Sequence, residues 1–219
     1  MERKVSADYL VDSLMDKFVN KKIKPGDKII ETKLAEKMNL SQTVVREAIN
    51  ILIVKGFLER EPYRGTKVKN FTIKEIIDYR IVRAKLETMS IDLSNIELFY
   101  ENINLDYLHK LIDNMLICSK IKDHKGRTEN DIKFHEHIVK AGGNQSLFTA
   151  WQSLGHYYWA YALLYLDFWD VYLRSIIHNN IYEALKKRKS KKELVLIMEK
   201  HFSDFMKLLS TLSQTYSKS

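Results

Sequence analysis

Cysteine is almost missing from this chain of 219 residues: Cys118 stands alone. An intramolecular disulfide is excluded, and so is a zinc cluster built on several thiolates. Proline occurs only as Pro25 and Pro62, and from Thr72 onward there is none. Over the same stretch glycine is confined to Gly126, Gly142, Gly143 and Gly155. So few helix breakers imply long helices joined by short connections, and no credible strand. A long uncharged apolar run is missing too. Leu154 to Leu173 comes nearest, but it carries His156, Asp167 and Asp170, which argues against a lipid-facing helix. The opening Met1-Glu2-Arg3-Lys4 leads into a mixed-charge amphipathic segment, not a signal peptide. A cytoplasmic protein with no membrane partner is the expectation.

What the chain has in excess is positive charge, +8 overall. The surplus is uneven. Residues 1–70 hold 15 Lys and Arg against 10 Asp and Glu, whereas the remainder holds 21 against 18. A basic N-terminal third suits a phosphate partner, although a solubilising surface has the same composition.

Leu34 to Leu52 carries the most specific pattern. A short helix with Leu34, Ala35 and Met38 is followed by a tight connection at Asn39-Leu40. Ser41 then caps a second helix whose inward stripe is Val45, Ala48, Ile49 and Leu52. Ala35 and Ala48 are small where two crossing helices must approach closely. That is a helix-turn-helix, and it turns Gln42, Thr43 and Arg46 toward the major groove. Gly56 suits the left-handed position that ends the second helix. Residues 57–60 and 66–69 read as two strands around Pro62-Tyr63-Arg64-Gly65, so the motif is a winged helix with Arg64 and Gly65 at the wing tip. An αα-hairpin with a β-ribbon and no DNA partner has the same periodicity.

Lys24-Pro25-Gly26-Asp27, Leu34-Ala35-Glu36, Ser41 to Ile49, Gly56-Phe57-Leu58 and Arg64 to Val68 together resemble the N-terminal domain of GntR-type bacterial transcription regulators. Two positions depart from that pattern. Gln42 stands where the family usually has Arg, which shifts the implied base preference from guanine toward adenine. Val44 stands where it usually has Pro, a change the first helical turn absorbs without losing a hydrogen bond.

The rest, 71–219, reads as an all-α bundle of about six helices, making the whole chain mainly α with domains at 1–70 and 71–219. Helices are expected over Thr72–Leu93, Leu105–Ile121, Glu129–Ala141, Gln145–Leu166, Trp169–Lys187 and Lys191–Ser213. In the first of these, Ile76, Ile77, Ile81, Val82, Leu86 and Met89 are the expected buried side, with Thr72 and Glu75 as a capping pair. Asp78 to Glu87, Asn130 to His135 and Gly143 to Leu147 resemble the helical FCD domain of the FadR-type branch.

Asp131 and His135 are four residues apart, so on a helix they lie about 40° apart around the axis and can share one ion. His178 and His201 sit in later helices, each on or beside an apolar stripe. One carboxylate and three imidazoles suit Zn²⁺, Ni²⁺, Mn²⁺ or Fe²⁺, one ion per chain, with positions left open. Core histidines holding one hydrogen bond each are the alternative. The resemblance favours the metal, because Asp-x-x-x-His followed by two distant His is the pattern of the metal-binding FCD domains. His137 faces about 200° away from His135 and cannot share the site. Arg83 on the opening helix and Arg174, one turn before His178, suit a carboxylate-bearing effector. The aromatic run from Trp151 through Tyr157, Tyr158, Trp159, Tyr161, Tyr165, Phe168 and Trp169 to Tyr172 is expected to line that cavity in part and to pack the bundle or a dimer in part.

The resulting expectation is a homodimeric regulator, most often a repressor in this family. It would bind a palindromic double-stranded operator and respond to a small organic acid in a metal-containing pocket. The competing reading is a helical metal-dependent hydrolase that activates water on the Asp/His cluster.

Overall fold

The computed structural model describes residues 7–165 and 178–216. They form two compact units: one runs to Thr72 and also takes in the segment that starts at Gly155, and the other holds Ile73–Leu154 and the described residues from His178 onward.

The first unit begins with α1 (Ala7–Val19), which buries Leu10, Val11, Leu14, Met15 and Phe18 along one stripe. β1 (Lys28–Ile29), α2 (Glu31–Met38), α3 (Gln42–Val54), β2 (Leu58–Glu61) and β3 (Gly65–Val68) follow. Asn39 closes α2 in the left-handed conformation, φ 51°, and its N–H donates to the Ala35 and Glu36 carbonyls. Ser41 Oγ accepts from the Val44 N–H at 3.3 Å, as the cap requires. The buried stripe of α3 is Val45, Ala48, Ile49 and Leu52, the expected four. Gly56 adopts φ 79° after α3, so the chain can turn back into β2. The wing is antiparallel, Leu58 opposite Val68 and Glu61 opposite Gly65.

Two features differ from the sequence reading. The strands stand one residue away from 57–60 and 66–69, and β1 adds a third, in the order β1-β3-β2. β1 escapes periodicity because it is two residues long. It is held by the Gly26 N–H donating to the Val68 carbonyl and the Val68 N–H donating to the Asp27 carbonyl.

The second unit contains α4 (Ile73–Asp92), α5 (Ile96–Asn102), α6 (Leu105–Lys120), α7 (His124–Ala141), α8 (Gln145–Gln152), α10 (His178–Lys186) and α11 (Lys191–Tyr216) among the described residues. Short Asx side chains start four of them: Asn95, Asp123, Asn104 and Asn144 each accept from a backbone N–H in the first turn. The core gathers Phe99, Leu108, Ile112, Met115, Phe134, Ile138, Leu185 and Met198. α5 was not expected. The helix expected over Gln145–Leu166 is broken, because Gly155 at φ 67° separates α8 from α9 (His156–Tyr165). α9 belongs to the first unit. Tyr165 stacks on Phe18 at 5.3 Å and meets Phe71 edge-on at 5.8 Å, and Lys69 Nζ lies 5.3 Å from the Trp159 ring. The sequence division at residue 70 assigned this segment to the bundle; its packing partners are α1 and the end of the wing.

The largest correction concerns α4. Ile76 is buried as expected, but Ile81, Val82 and Met89 are 48%, 46% and 45% exposed. The buried face carries Tyr79, Arg80, Arg83, Glu87, Thr88 and Ser90 instead. The bundle is polar at this level, and what it surrounds explains why.

Candidate functional site

The first candidate surface lies on the first unit. With Val45, Ala48, Ile49 and Leu52 turned inward, Gln42, Thr43, Arg46 and Asn50 are left on the exposed side of α3. The Arg46 side chain is 64% exposed and its Nε donates to Glu31 Oε2 at 3.2 Å, so α2 steadies the guanidinium. Asn50, not singled out from the sequence, accepts from Arg60 Nη2 at 2.9 Å and so ties the wing to the recognition helix. It stands four residues beyond Arg46, a spacing that marks the same face. At the wing tip Tyr63 adopts φ 62° and Gly65 φ 91°, leaving Arg64 exposed between them. Lys67 is committed elsewhere: its Nζ contacts Glu61 at 2.5 Å and Glu59 at 3.2 Å. Among the described residues of the tip, 62–65, Arg64 is the exposed cation.

The second candidate lies inside the bundle, where α7, α10 and α11 bring three of the expected ligands together. The rings of His135, His178 and His201 form a near-regular triangle, with centroids 5.2, 5.1 and 5.0 Å apart. One ring nitrogen from each lies within 4.8 Å of the others. Asp131 joins them, with Oδ1 3.2 Å from His178 Nε2. His135 Nε2 faces His178 Nε2, also at 3.2 Å. Ligands about 2.1 Å from one ion stand about 3.0 Å apart at a right angle and about 3.4 Å apart at the tetrahedral angle. Both observed separations fall between these values; the three imidazoles form the compact group that fits a single divalent ion, and Asp131 adjoins it through His178.

What orients this set was only partly visible in the sequence. His135 Nδ1 donates to Glu87 Oε2 at 2.5 Å, which fixes its tautomer and turns the Nε2 lone pair toward the other imidazoles. Glu87 is fully buried. It also accepts from Arg83 Nε at 2.7 Å and from Trp151 Nε1 at 3.0 Å. Glu87, the partner of His135, is not among the site residues singled out from the sequence. Arg83 Nη2 reaches Asp131 Oδ2 at 3.6 Å, so this guanidinium links the two carboxylates. Arg127 and Thr128 extend the same buried face of α7 one turn before Asp131. Arg174 and the aromatics Phe168, Trp169 and Tyr172 lie outside the described residues. His137 is turned away from the cluster, where its Nε2 accepts from the Asn104 N–H at 2.9 Å and its ring packs on Tyr107.

The electrostatics follow from burial and pairing. Burial pushes the Glu87 carboxyl up, but His135 and Arg83 outweigh it and hold it well below the usual carboxylate range. Burial likewise raises Asp131, and the His178 contact, with His135 and Arg83 nearby, more than reverses this. His178 is pushed down by burial, partly opposed by Asp131. Burial pushes His201 down furthest, helped by the neighbouring His178 and His135. Both imidazoles are thus held neutral, as metal ligation requires.

A pH dependence follows for the metal-free protein. His201 and His178 take up protons less readily folded than unfolded, where the ordinary value is 6.5. Stability should therefore fall as pH drops below about 6.5, at up to about 1.4 kcal/mol per pH unit for each imidazole. Asp131 and Glu87 are depressed, so what they contribute is present above about pH 4 and is lost on further acidification. A melting temperature measured in EDTA that stays level between pH 7.5 and 5.5 would contradict this.

Comparison with known proteins bears on both surfaces. Residues 7–68 match the family described as "Bacterial regulatory proteins, gntR family", and residues 86–204 match the FCD domain. The chain is 25% identical over 189 residues to the gluconate operon transcriptional repressor of Bacillus licheniformis, covering 83% of this chain and 76% of that one. It is 27% identical over 133 residues to the HTH-type transcriptional regulator YdhC of Bacillus subtilis, covering 58% of this chain and 57%, little more than half, of that relative. Among solved structures, a GntR transcriptional regulator from Rhodococcus sp. RHA1 superposes with a TM-score of 0.69 at 19% identity, over 94% of this chain and 97% of that one. E. coli McbR/YncC superposes at 0.65 and 19%, over 94% and 98%.

Proposed function

Since the chain belongs to the gntR family of bacterial regulatory proteins, in its branch with a C-terminal FCD domain, we propose that it is a transcriptional repressor released from DNA by a small organic acid. The observation that carries this reading is the exposed face of α3, Gln42, Thr43 and Arg46, beside a wing whose tip offers Arg64. Ser41 starts the recognition helix, and Gly65 lets the wing turn tightly enough to present Arg64 to a phosphate or the minor groove. Two such units in a homodimer read the halves of a palindromic operator.

In the second unit, Asp131, His135, His178 and His201 hold one divalent transition metal, Zn²⁺, Ni²⁺, Mn²⁺ or Fe²⁺. When bound, such an ion supplies Lewis acidity and open coordination positions for an effector carboxylate. Arg83 supports an acid at this place: its Nη2 is buried without a hydrogen-bond partner, with the Asp131 carboxylate 3.6 Å away. Arg83 presents that amino group to the acid; Arg174, the other cation that the sequence offers for it, lies outside the described residues. One relative is a repressor of a gluconate operon, and gluconate is itself a carboxylate. The hydrolase reading falls away: the family consists of regulators, and Glu87, the remaining carboxylate at the cluster among the described residues, is spent on His135, Arg83 and Trp151.

The test is a gel-shift titration of metal-loaded protein against DNA selected from a random pool. Affinity should fall with salt at a slope of about −0.9 per phosphate contacted, and an organic acid should release the complex. Binding that neither selects a sequence nor responds to salt would remove the DNA-binding reading. Selective binding that no acid disturbs, with or without metal, would remove the sensing one.

A further inference from the structure

His201 is the imidazole at which the buried cluster meets the outside. His135 and His178 are each 1% exposed, whereas His201 retains 9% and also lines a cleft of about 320 Å³ between α10 and α11. Around the rest of the cluster Phe134 packs against His135 and His178, Phe202 packs against His135 and His201, and Glu87 holds His135, all three of them buried. The cleft walls carry oxygen donors, Asn180, Glu183 and Asp204, alongside three lysines. Two of those lysines are locally compensated: Lys187 pairs with Glu183 at 3.7 Å, and Lys189 with Glu193 at 2.8 Å. Asp204 follows His201 by three residues, so its carboxylate stands on the same side of α11. His201 Nδ1 is buried with no hydrogen-bond partner, an imidazole not yet committed to a protein group.

We propose that this cleft is the port by which the divalent ion reaches and leaves the cluster, with Asp204 and Asn180 as its first oxygen donors and His201 as the ligand that passes it inward. The inference rests on the metal reading given above. Donor chemistry runs in the required direction. One carboxylate and one amide hold a borderline transition metal weakly, three imidazoles with a carboxylate hold it strongly, and the path leads from the former to the latter. Asp204 offsets Lys200, so the mouth does not repel a cation as a lysine-lined cleft otherwise would.

A port changes rates and leaves the equilibrium alone, and that separates it from a ligand. Zn²⁺ serves as the probe on the full-length chain, with uptake followed by stopped flow and release followed into EDTA at concentrations where the rate no longer depends on chelator. Asn180→Trp, at an exposed helix position, fills the cleft. It should slow uptake and release by the same factor, roughly tenfold, and leave Kd unmoved, because it raises one barrier crossed in both directions. Asp204→Asn should slow uptake roughly two- to fivefold and flatten its dependence on ionic strength. Rates unchanged in both variants at normal zinc content would overturn the port while leaving the metal site standing. A wild-type chain that takes up no Zn²⁺, Ni²⁺, Mn²⁺ or Fe²⁺ would overturn both. A Kd that moves with Asn180→Trp while release stays fast would make position 180 part of the site, and the port would fall.

Discussion

Arg46→Ala is expected to weaken operator binding by roughly one to two orders of magnitude for each half-site engaged. A lost bidentate base contact from a recognition helix costs about 1–3 kcal/mol. The geometry sharpens the expectation, because Arg46 projects from the middle of the exposed face of α3 while Glu31 holds its Nε. Glu31→Ala should cost less, about 0–1 kcal/mol, since it releases a steadying ion pair and leaves the base contact in place. Arg64→Ala should behave differently again. A wing-tip cation on the backbone weakens all sequences alike and lowers the salt slope by about one. Binding isotherms over a range of salt concentrations distinguish the three, and unchanged affinity in both arginine variants would end the groove-facing assignment.

Removing the metal is expected to lower the melting temperature by about 5–10 °C. An ion held at a hundred times its Kd stabilises the folded state by about 2.7 kcal/mol, and each kcal/mol moves Tm by about 2–4 °C in a chain of this size. Ligands drawn from three helices are scattered in the unfolded chain, so binding free energy adds to folding free energy. His178→Ala and His201→Ala should abolish the chelator effect. Glu87→Gln should keep the packing but weaken metal affinity by roughly 10- to 100-fold, since it removes the charge that orients His135. His137→Ala is the informative control. It should lose some stability, because the Asn104 N–H loses its acceptor, and yet carry a full complement of metal. Metal content by elemental analysis, with melting in and out of EDTA, decides the matter. A metal-free wild type whose melting ignores chelators would reduce the cluster to a buried hydrogen-bonded network.

The parts of this molecule that were legible in the sequence are those governed by local rules. Ser41 as a cap, the inward stripe of α3 and the four-residue spacing of Asp131 and His135 all depend on one helix and its period. α4 was misread for the opposite reason. Its apolar residues Ile81, Val82 and Met89 suggested an oily face, but the interior it borders holds Asp131 and three imidazoles, so Arg83 and Glu87 are the residues that belong inside. Hydrophobic periodicity assumes an apolar core and fails where the core is a polar site. Glu87 carried a usable signal, an Arg four residues earlier on the same face, but its contact with His135 spans 48 residues of sequence and no local pattern reports it.

The placement of α9 bears on how the protein is made. The first unit does not close with the wing: Tyr165 and Trp159 complete the surface formed by Phe18, Phe71 and Lys69. Roughly ninety further residues must leave the ribosome before that helix arrives, which at about 5–20 residues per second is a delay of roughly 5–20 s. Until then the nascent winged helix stands with the Phe18 side of α1 open to water, and a fragment ending at Thr72 would keep it open permanently. The segment that seals the DNA-reading half is thus delivered by the half that follows it in translation.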